Sequence, residues 1–298
     1  MLEFGPLVDD QILCAEGAVL CRDVQVGCCV CIRGPIEWQT SQETRAVLRA
    51  HGVTDKGRVR PVNEDCWAVE AAQGLCVVAD GMGGHNAGEV AARVAVETVV
   101  TFLTTRKSDN HWPFGFDPGL SAAGNRLRTA IQLAHLQVLE TAVTSQRYSG
   151  MGTTIVASLV EGNRLSVGHV GDSRLYVLAN HRLRQLTQDD SWMSSMLAHN
   201  PSADVAKLER HPMRNALTNV VGSKRPTDVH VVEETLLGGE LLLLTTDGVH
   251  GVLDEARLEQ VILDSNDVQD TAASLVAAAL ARGSRDNCTA LVARYLAE

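Results

Sequence analysis

Apolar and polar positions along this chain change spacing in a way that sorts most of it into elements. Residues 46–53 read as a strand, 66–70 as a short strand and 75–79 as a buried one. Residues 88–103 have helical spacing, 104–118 hold two prolines and Trp112 and read as a loop, and a second helix is predicted over 119–143. Strands are predicted again at 153–160, 164–170, 174–178 and 182–186, close together and separated by turn signals, which indicates antiparallel sheet. Residues 189–226 are polar and irregular apart from one helix at 192–198. A strand at 241–245, helices at 255–263 and 268–282, and a strand at 288–295 complete the pattern. Strand meanders interleaved with helix pairs predict an α+β sandwich in layers.

Two of the apolar runs end alike. Leu75-Cys76-Val77-Val78-Ala79 leads into Asp80-Gly81, and Leu241-Leu242-Leu243-Leu244-Thr245-Thr246 leads into Asp247-Gly248. A carboxylate at the mouth of a buried strand must be paired, hydrated or metal-bound. Two of them far apart in sequence suggest a divalent-metal site assembled from strand ends.

The 298 residues, 45% of them hydrophobic, allow a core of ordinary size without disulfide staples. A net charge of −10 argues against nucleic acid or an anionic membrane as partner, and suits cation binding. No stretch has the length of a membrane span, and the first residues, with Asp9 and Asp10 and no basic region, make a poor signal peptide, so a cytoplasmic protein is expected. Of the eight cysteines, Cys14, Cys21, Cys28, Cys29 and Cys31 crowd near the start; Cys66, Cys76 and Cys288 are scattered. Cys28 and Cys31 alone have Cys-x-x-Cys spacing, with no second pair and no histidines at zinc-finger spacing, so reduced thiols are the expectation. Residues 1–44 therefore form a cysteine-rich N-terminal extension without a clear period, and 45–298 the main domain.

Further clusters add candidate chemistry. Arg60 precedes Glu64-Asp65 by four residues, a guanidinium fork suited to phosphate beside hard oxygen ligands suited to Mg²⁺ or Mn²⁺. On that stretch alone, a charged surface turn is the simpler reading. Asp80-Gly81-Met82-Gly83-Gly84-His85 precedes a helix as nucleotide loops do. Asn86 breaks the dinucleotide fingerprint, and Glu89-Val90 replace the lysine and hydroxyl of a Walker loop. A glutamate there would repel phosphate, so metal binding fits better. Gly171-Asp172-Ser173-Arg174 reads by itself as a hairpin turn, and Ser284-Arg285-Asp286-Asn287 as a turn or cap. Cys288 and Arg294 have the spacing of a cysteine phosphatase, but the residues between form an apolar strand with no phosphate cradle. Among the histidines, His85 stands out for its place in the glycine loop beside Asp80.

Taken in order, Arg60-x-x-Asn63-Glu64-Asp65, Asp80-Gly81-Met82-Gly83-Gly84-His85, Gly150-Met151-Gly152-Thr153-Thr154, Gly171-Asp172-Ser173-Arg174, Asp247-Gly248 and Arg285-Asp286-Asn287 resemble the metal-dependent protein phosphatases of type 2C, bacterial type. The resemblance covers 45–298. It implies two packed antiparallel sheets flanked by helix pairs, and two Mn²⁺ or Mg²⁺ ions. Asp80 would bridge both; Asp247 and Asp286 would hold one, and Glu64 and the Gly81 carbonyl the other, with Asp65 in support. Arg60 would clamp phosphate and His85 act as general acid, while a water bridging the ions attacks phosphorus directly. Many relatives hold a third ion with a second acid where this chain has Gly251, so a third ion at Asp172 is weak, absent or held otherwise. The implied function is hydrolysis of phosphoserine and phosphothreonine in proteins by a monomer opposing a serine/threonine kinase in signal transduction. The alternatives are a non-catalytic phosphoprotein-binding relative and a metal-dependent hydrolase of another phosphoester.

Overall fold

The structure, a computed structural model, describes residues 47–83, 87–105, 112–224 and 226–297. The extension at 1–44 with its cysteines, and His85, lie outside the described residues.

One sheet contains β1 (Val47–Asp55), β7 (Arg174–Ala179), β8 (Arg182–Gln185), β10 (Leu241–Thr245) and β11 (Cys288–Leu296), in the order β1-β11-β10-β7-β8. The other contains β2 (Asp65–Glu70), β3 (Leu75–Met82), β5 (Ile155–Glu161), β6 (Arg164–Val170) and β9 (His230–Thr235) in that spatial order, with β4 (Gly152–Thr153) paired to the end of β3. All these pairings are antiparallel. Helices α1 (Ala87–Thr105) and α2 (Ala122–Thr144) cover the second sheet. Helices α6 (Glu255–Asp264) and α7 (Val268–Ala281) cover the first. The layered α+β sandwich expected from the sequence is therefore observed.

Continuous apolar runs follow from burial on both faces. In β10, Leu241 and Leu243 meet the helices, while Leu242 and Leu244 meet the opposite sheet. In β3, Leu75, Val77 and Ala79 meet α1 and α2, while Cys76 and Val78 face inward. Each such leucine contributes roughly 1.5–3 kcal/mol, so a polar residue within either run would be incompatible with the stack.

Several boundaries differ from expectation for identifiable reasons. Helix α2 begins three residues later than its apolar pattern, because Ser121 caps it by accepting from Gly124 N–H at 3.0 Å. The strand expected over 153–160 breaks at Thr154 into β4 and β5. Strand β9 was not predicted: it is a sheet edge, half-buried along its length, and shows no alternation. The segment 189–226 holds α3 (Trp192–His199), as expected, and also α4 (Val205–Glu209). The one-turn helix α5 (Asp247–His250) was too short to show periodicity. Residues 171–173 are no hairpin: they carry the chain from β6 in one sheet to β7 in the other.

Among the described residues, Cys66, Cys76 and Cys288 are free thiols, and burial pushes Cys76 up to about 12. No described helix is long and apolar enough to cross a membrane.

Candidate active site

Antiparallel pairing brings the acidic strand ends to one end of the sandwich. Asp65 opens β2 and stands opposite Asp80 near the end of β3. In the other sheet Thr245, the last residue of β10, faces Ala290 of β11 and Arg174 of β7. Asp247 follows β10, Asp286 precedes β11, and Asp172 lies just before β7.

Both Asp-Gly pairs have a steric reason. A Cβ on Gly81 would lie 2.1 Å from the Gly88 carbonyl oxygen and 2.6 Å from that of Glu64. One on Gly248 would lie 1.8 Å from the Asn287 carbonyl oxygen. After each aspartate the backbone turns hard against another segment, and only glycine leaves room.

Side chains from the opposite sheet hold Asp65, while Asp80 is held from within its own sheet. Asp65 Oδ2 accepts from Thr246 Oγ1 at 2.9 Å and from Thr289 Oγ1 at 2.6 Å. The Asp80 carbonyl accepts from Thr154 N–H at 2.9 Å and Thr153 Oγ1 at 2.8 Å, and Asp80 N–H donates to Thr154 Oγ1 at 3.0 Å. Asn287 accepts from Glu64 N–H at 2.9 Å and donates to the carbonyls of Lys56 and Val62, at 2.8 and 2.9 Å. That fastens the Arg60 loop beside Asp286. Sequence reasoning assigned no part to Thr246 and Thr289; both are polar residues beside strand ends, the only signal available.

Too much negative charge is concentrated here for the protein groups to satisfy. Burial first, then repulsion from Asp65, Asp247 and Asp172, holds Asp80 well above the usual carboxylate range. Burial raises Asp65 to about 7 against the bonds from Thr289 and Thr246, and Asp247 and Asp286 add repulsion. Burial and Asp247 raise Asp172 to about 7, and burial and Asp286 raise Asp247 to about 6. Burial also raises Glu64. Arg60 opposes the charge of Glu64 and Asp247 from the rim, its side chain 48% exposed and bonded through Nη2 to Asp286 Oδ2 at 2.6 Å, while Arg174 opposes that of Asp172.

Two buried oxygens, Asp65 Oδ1 and Asp247 Oδ1, have no hydrogen-bond partner. Among the described residues, no three His, Cys, Asp or Glu side chains already enclose one point at ligand distance. Mutually repelling carboxylates with unpaired buried oxygens nevertheless suit hard divalent cations, which take oxygen ligands and cancel the charge. Of the residues expected from sequence, Arg60, Glu64, Asp65, Asp80, Gly81, Asp172, Asp247 and Asp286 lie at this end of the sandwich. Gly251 ends α5, and its N–H donates to the Asp247 carbonyl at 2.7 Å.

The family model described as protein phosphatase 2C matches residues 58–282. The chain belongs to this family. It is 31% identical over 256 residues to the serine/threonine phosphatase stp of Listeria monocytogenes, across 82% of this chain and 95% of the relative. It is 34% identical over 253 residues to the serine/threonine protein phosphatase PstP of Mycobacterium tuberculosis, across 83% of this chain and 45% of that longer protein. The crystal structure of M. tuberculosis PstP/Ppp matches with a TM-score of 0.72 at 29% identity, covering 83% of this chain and 98% of that one. The PstP catalytic domain in complex with two manganese ions matches with a TM-score of 0.71 at 27% identity, covering 84% and 99%. This 2C phosphatase thus shares its sandwich with proteins named as serine/threonine phosphatases.

Proposed function

We propose that the protein is a metal-dependent serine/threonine phosphatase that hydrolyses phosphoserine and phosphothreonine in proteins. The observation that carries this reading is the group of buried, mutually repelling carboxylates at one end of the sandwich, with unpaired oxygens on Asp65 and Asp247. Asp80, Asp247 and Asp286, with Glu64, the Gly81 carbonyl and Asp65, are the groups to hold two Mn²⁺ or Mg²⁺ ions. Asp172 is the remaining acid, for a weaker third ion given Gly251. When bound, the ions supply Lewis acidity and a water acidified for attack on phosphorus.

The chain's own residues do the rest. Arg60 is exposed enough to leave Asp286, and its planar fork matches the spread negative charge of a phosphoryl group. His85 follows Asp80 by five residues and is assigned proton donation to the departing serine or threonine oxygen. Thr246 and Thr289 keep Asp65 oriented. The reading extends to a cytoplasmic monomer that opposes a serine/threonine kinase in signal transduction. Its support is the resemblance alone.

The test is hydrolysis of phosphoserine, phosphothreonine and phosphotyrosine peptides with and without Mn²⁺, with Asp80→Asn as control. Wild-type protein inactive in Mn²⁺ would remove the catalytic reading, and activity surviving Asp80→Asn would remove the site. His85→Ala should slow phosphopeptides more than aryl phosphates, whose leaving group needs less protonation; equal losses would deny His85 the role of acid.

A further inference from the structure

The corner Gly171-Asp172-Ser173-Arg174 joins the two sheets, and adjacent residues grip it at both ends. At one end, Asp190 holds Gly171 by backbone and side chain. Asp190 N–H donates to the Gly171 carbonyl at 2.9 Å, and Asp190 Oδ2 accepts from Gly171 N–H at 2.9 Å. At the other end, Asp189 takes Arg174 in a two-pronged ion pair, with Nε at 2.9 Å from Oδ1 and Nη2 at 2.7 Å from Oδ2. Between them, Ser173 Oγ pairs with Thr154 Oγ1 at 2.7 Å, and that same hydroxyl meets Asp80 N–H. Gly171 has φ +97, a left-handed conformation that makes the sharp crossing possible.

The grip reaches outward as well. Asp190 Oδ2 also accepts from Asn219 Nδ2 at 2.8 Å, and Oδ1 lies 3.0 Å from His230 Nε2. The Asp190 carbonyl accepts from Thr218 N–H at 2.8 Å. The Asp190 side chain thus ties the Asp172 corner, Asn219 and the edge strand β9, and its backbone carbonyl adds Thr218. Asp190 also borders a cavity of about 490 Å³ lined in part by His169, Ser194 and Val232.

We propose that Asp189 and Asp190 are positioning residues that set the Asp172 corner and couple it to Thr218 and Asn219. The proposal rests on the reading of Asp172 as a site residue only for its effect on activity; the grip itself is a property of the folded chain. Neither aspartate is among the residues assigned to hold metal or phosphate.

The experiment is hydrogen exchange on the full chain without metal, comparing wild type, Asp190→Ala, Asp189→Ala and Asp190→Asn. Loss of a half-buried charge-assisted bond should speed exchange across 168–176 by about tenfold in Asp190→Ala and Asp189→Ala, with little change in β10. Asp190→Asn should restore protection. Its amide oxygen can still accept from Gly171 N–H, and its NH₂ can face a neutral His230. In the second arm, Asp190→Ala should raise the Mn²⁺ concentration for half-maximal activity about fivefold, while the KM for phosphopeptide changes less. Unchanged exchange at 168–176, a rise spread evenly over the chain, or no rescue by asparagine would overturn the proposal. A wild type inactive in Mn²⁺ would refute the phosphatase reading while leaving the exchange result to decide the grip.

Discussion

Without divalent metal, the acidic cluster should subtract stability from this protein as pH rises, opposite in sign to His135, His169 and His250, whose values burial lowers. Burial, with repulsion among themselves, raises Asp80, Asp65, Asp172 and Asp247 in the folded state. A carboxyl whose folded pKa exceeds its unfolded value binds a proton more tightly when folded. Its contribution is full below the unfolded value, 3.8, and is lost as pH rises through the folded value, about 7 for Asp65. A shift of about three units at 1.36 kcal/mol each makes about 4 kcal/mol the ceiling for Asp65 alone. The four acids do not add. A proton kept by one relieves the repulsion on the rest, so the cluster as a whole should cost about 3–5 kcal/mol between about pH 4.5 and about pH 7.5. Urea unfolding in chelator across that range reads it as the difference between wild type and Asp65→Asn, in which the histidines cancel. Asp65→Asn should flatten the curve, and Mn²⁺ should recover more stability at the alkaline end than at the acid end. A difference in chelator between wild type and Asp65→Asn that is level or rises across the window would refute the argument that these carboxylates are buried against their own charge.

Three further outcomes test other parts of the structure. Glu233, with its side chain 8% exposed, is held down to about 2, because bonds from Ser121, Ser166 and Arg164 outweigh its burial. Glu233→Gln should therefore destabilise fully above about pH 4.5 and progressively less toward pH 2; a difference constant across acid titration would count against those bonds. Gly248→Ala should lower stability by about 2–3 kcal/mol or more in thermal unfolding, because its Cβ meets the Asn287 carbonyl at 1.8 Å; a neutral effect would show that the turn can yield. With Mn²⁺ present to offset the acidic cluster, Arg60→Ala removes a half-exposed ion pair to Asp286 and should change stability by less than about 1 kcal/mol. It should nonetheless cut kcat/KM for phosphopeptide by about 100-fold; matched losses in Tm and activity would make Arg60 structural.

Most elements were legible because their signal is local. The leucines of β10 and the run from Leu75 to Ala79 could be nothing but buried strands, and the helical spacing of α1, α6 and α7 survives almost to the residue. Elements without a local signal were missed. Strand β9 is recognisable only once β6 lies beside it, since its residues are half-buried on both faces. The ordered motifs carried the family resemblance, because aspartates at strand ends and glycines after them are visible one segment at a time. What they meet is not.

The sequence alone determined a layered α+β chain in which two buried strands each end in Asp-Gly, because hydrophobic period and glycine are written within a few residues. Only the tertiary structure decided which strand ends share one edge. Asp65 finds Thr246 and Thr289 at sequence separations of 181 and 224, and the Asp172 corner proves to be a crossing between sheets gripped by Asp189 and Asp190. Hydrogen bonds act over about 3 Å in space and are indifferent to distance along the chain. A carboxylate's partners, and so its charge state, are settled only when the sheets pack.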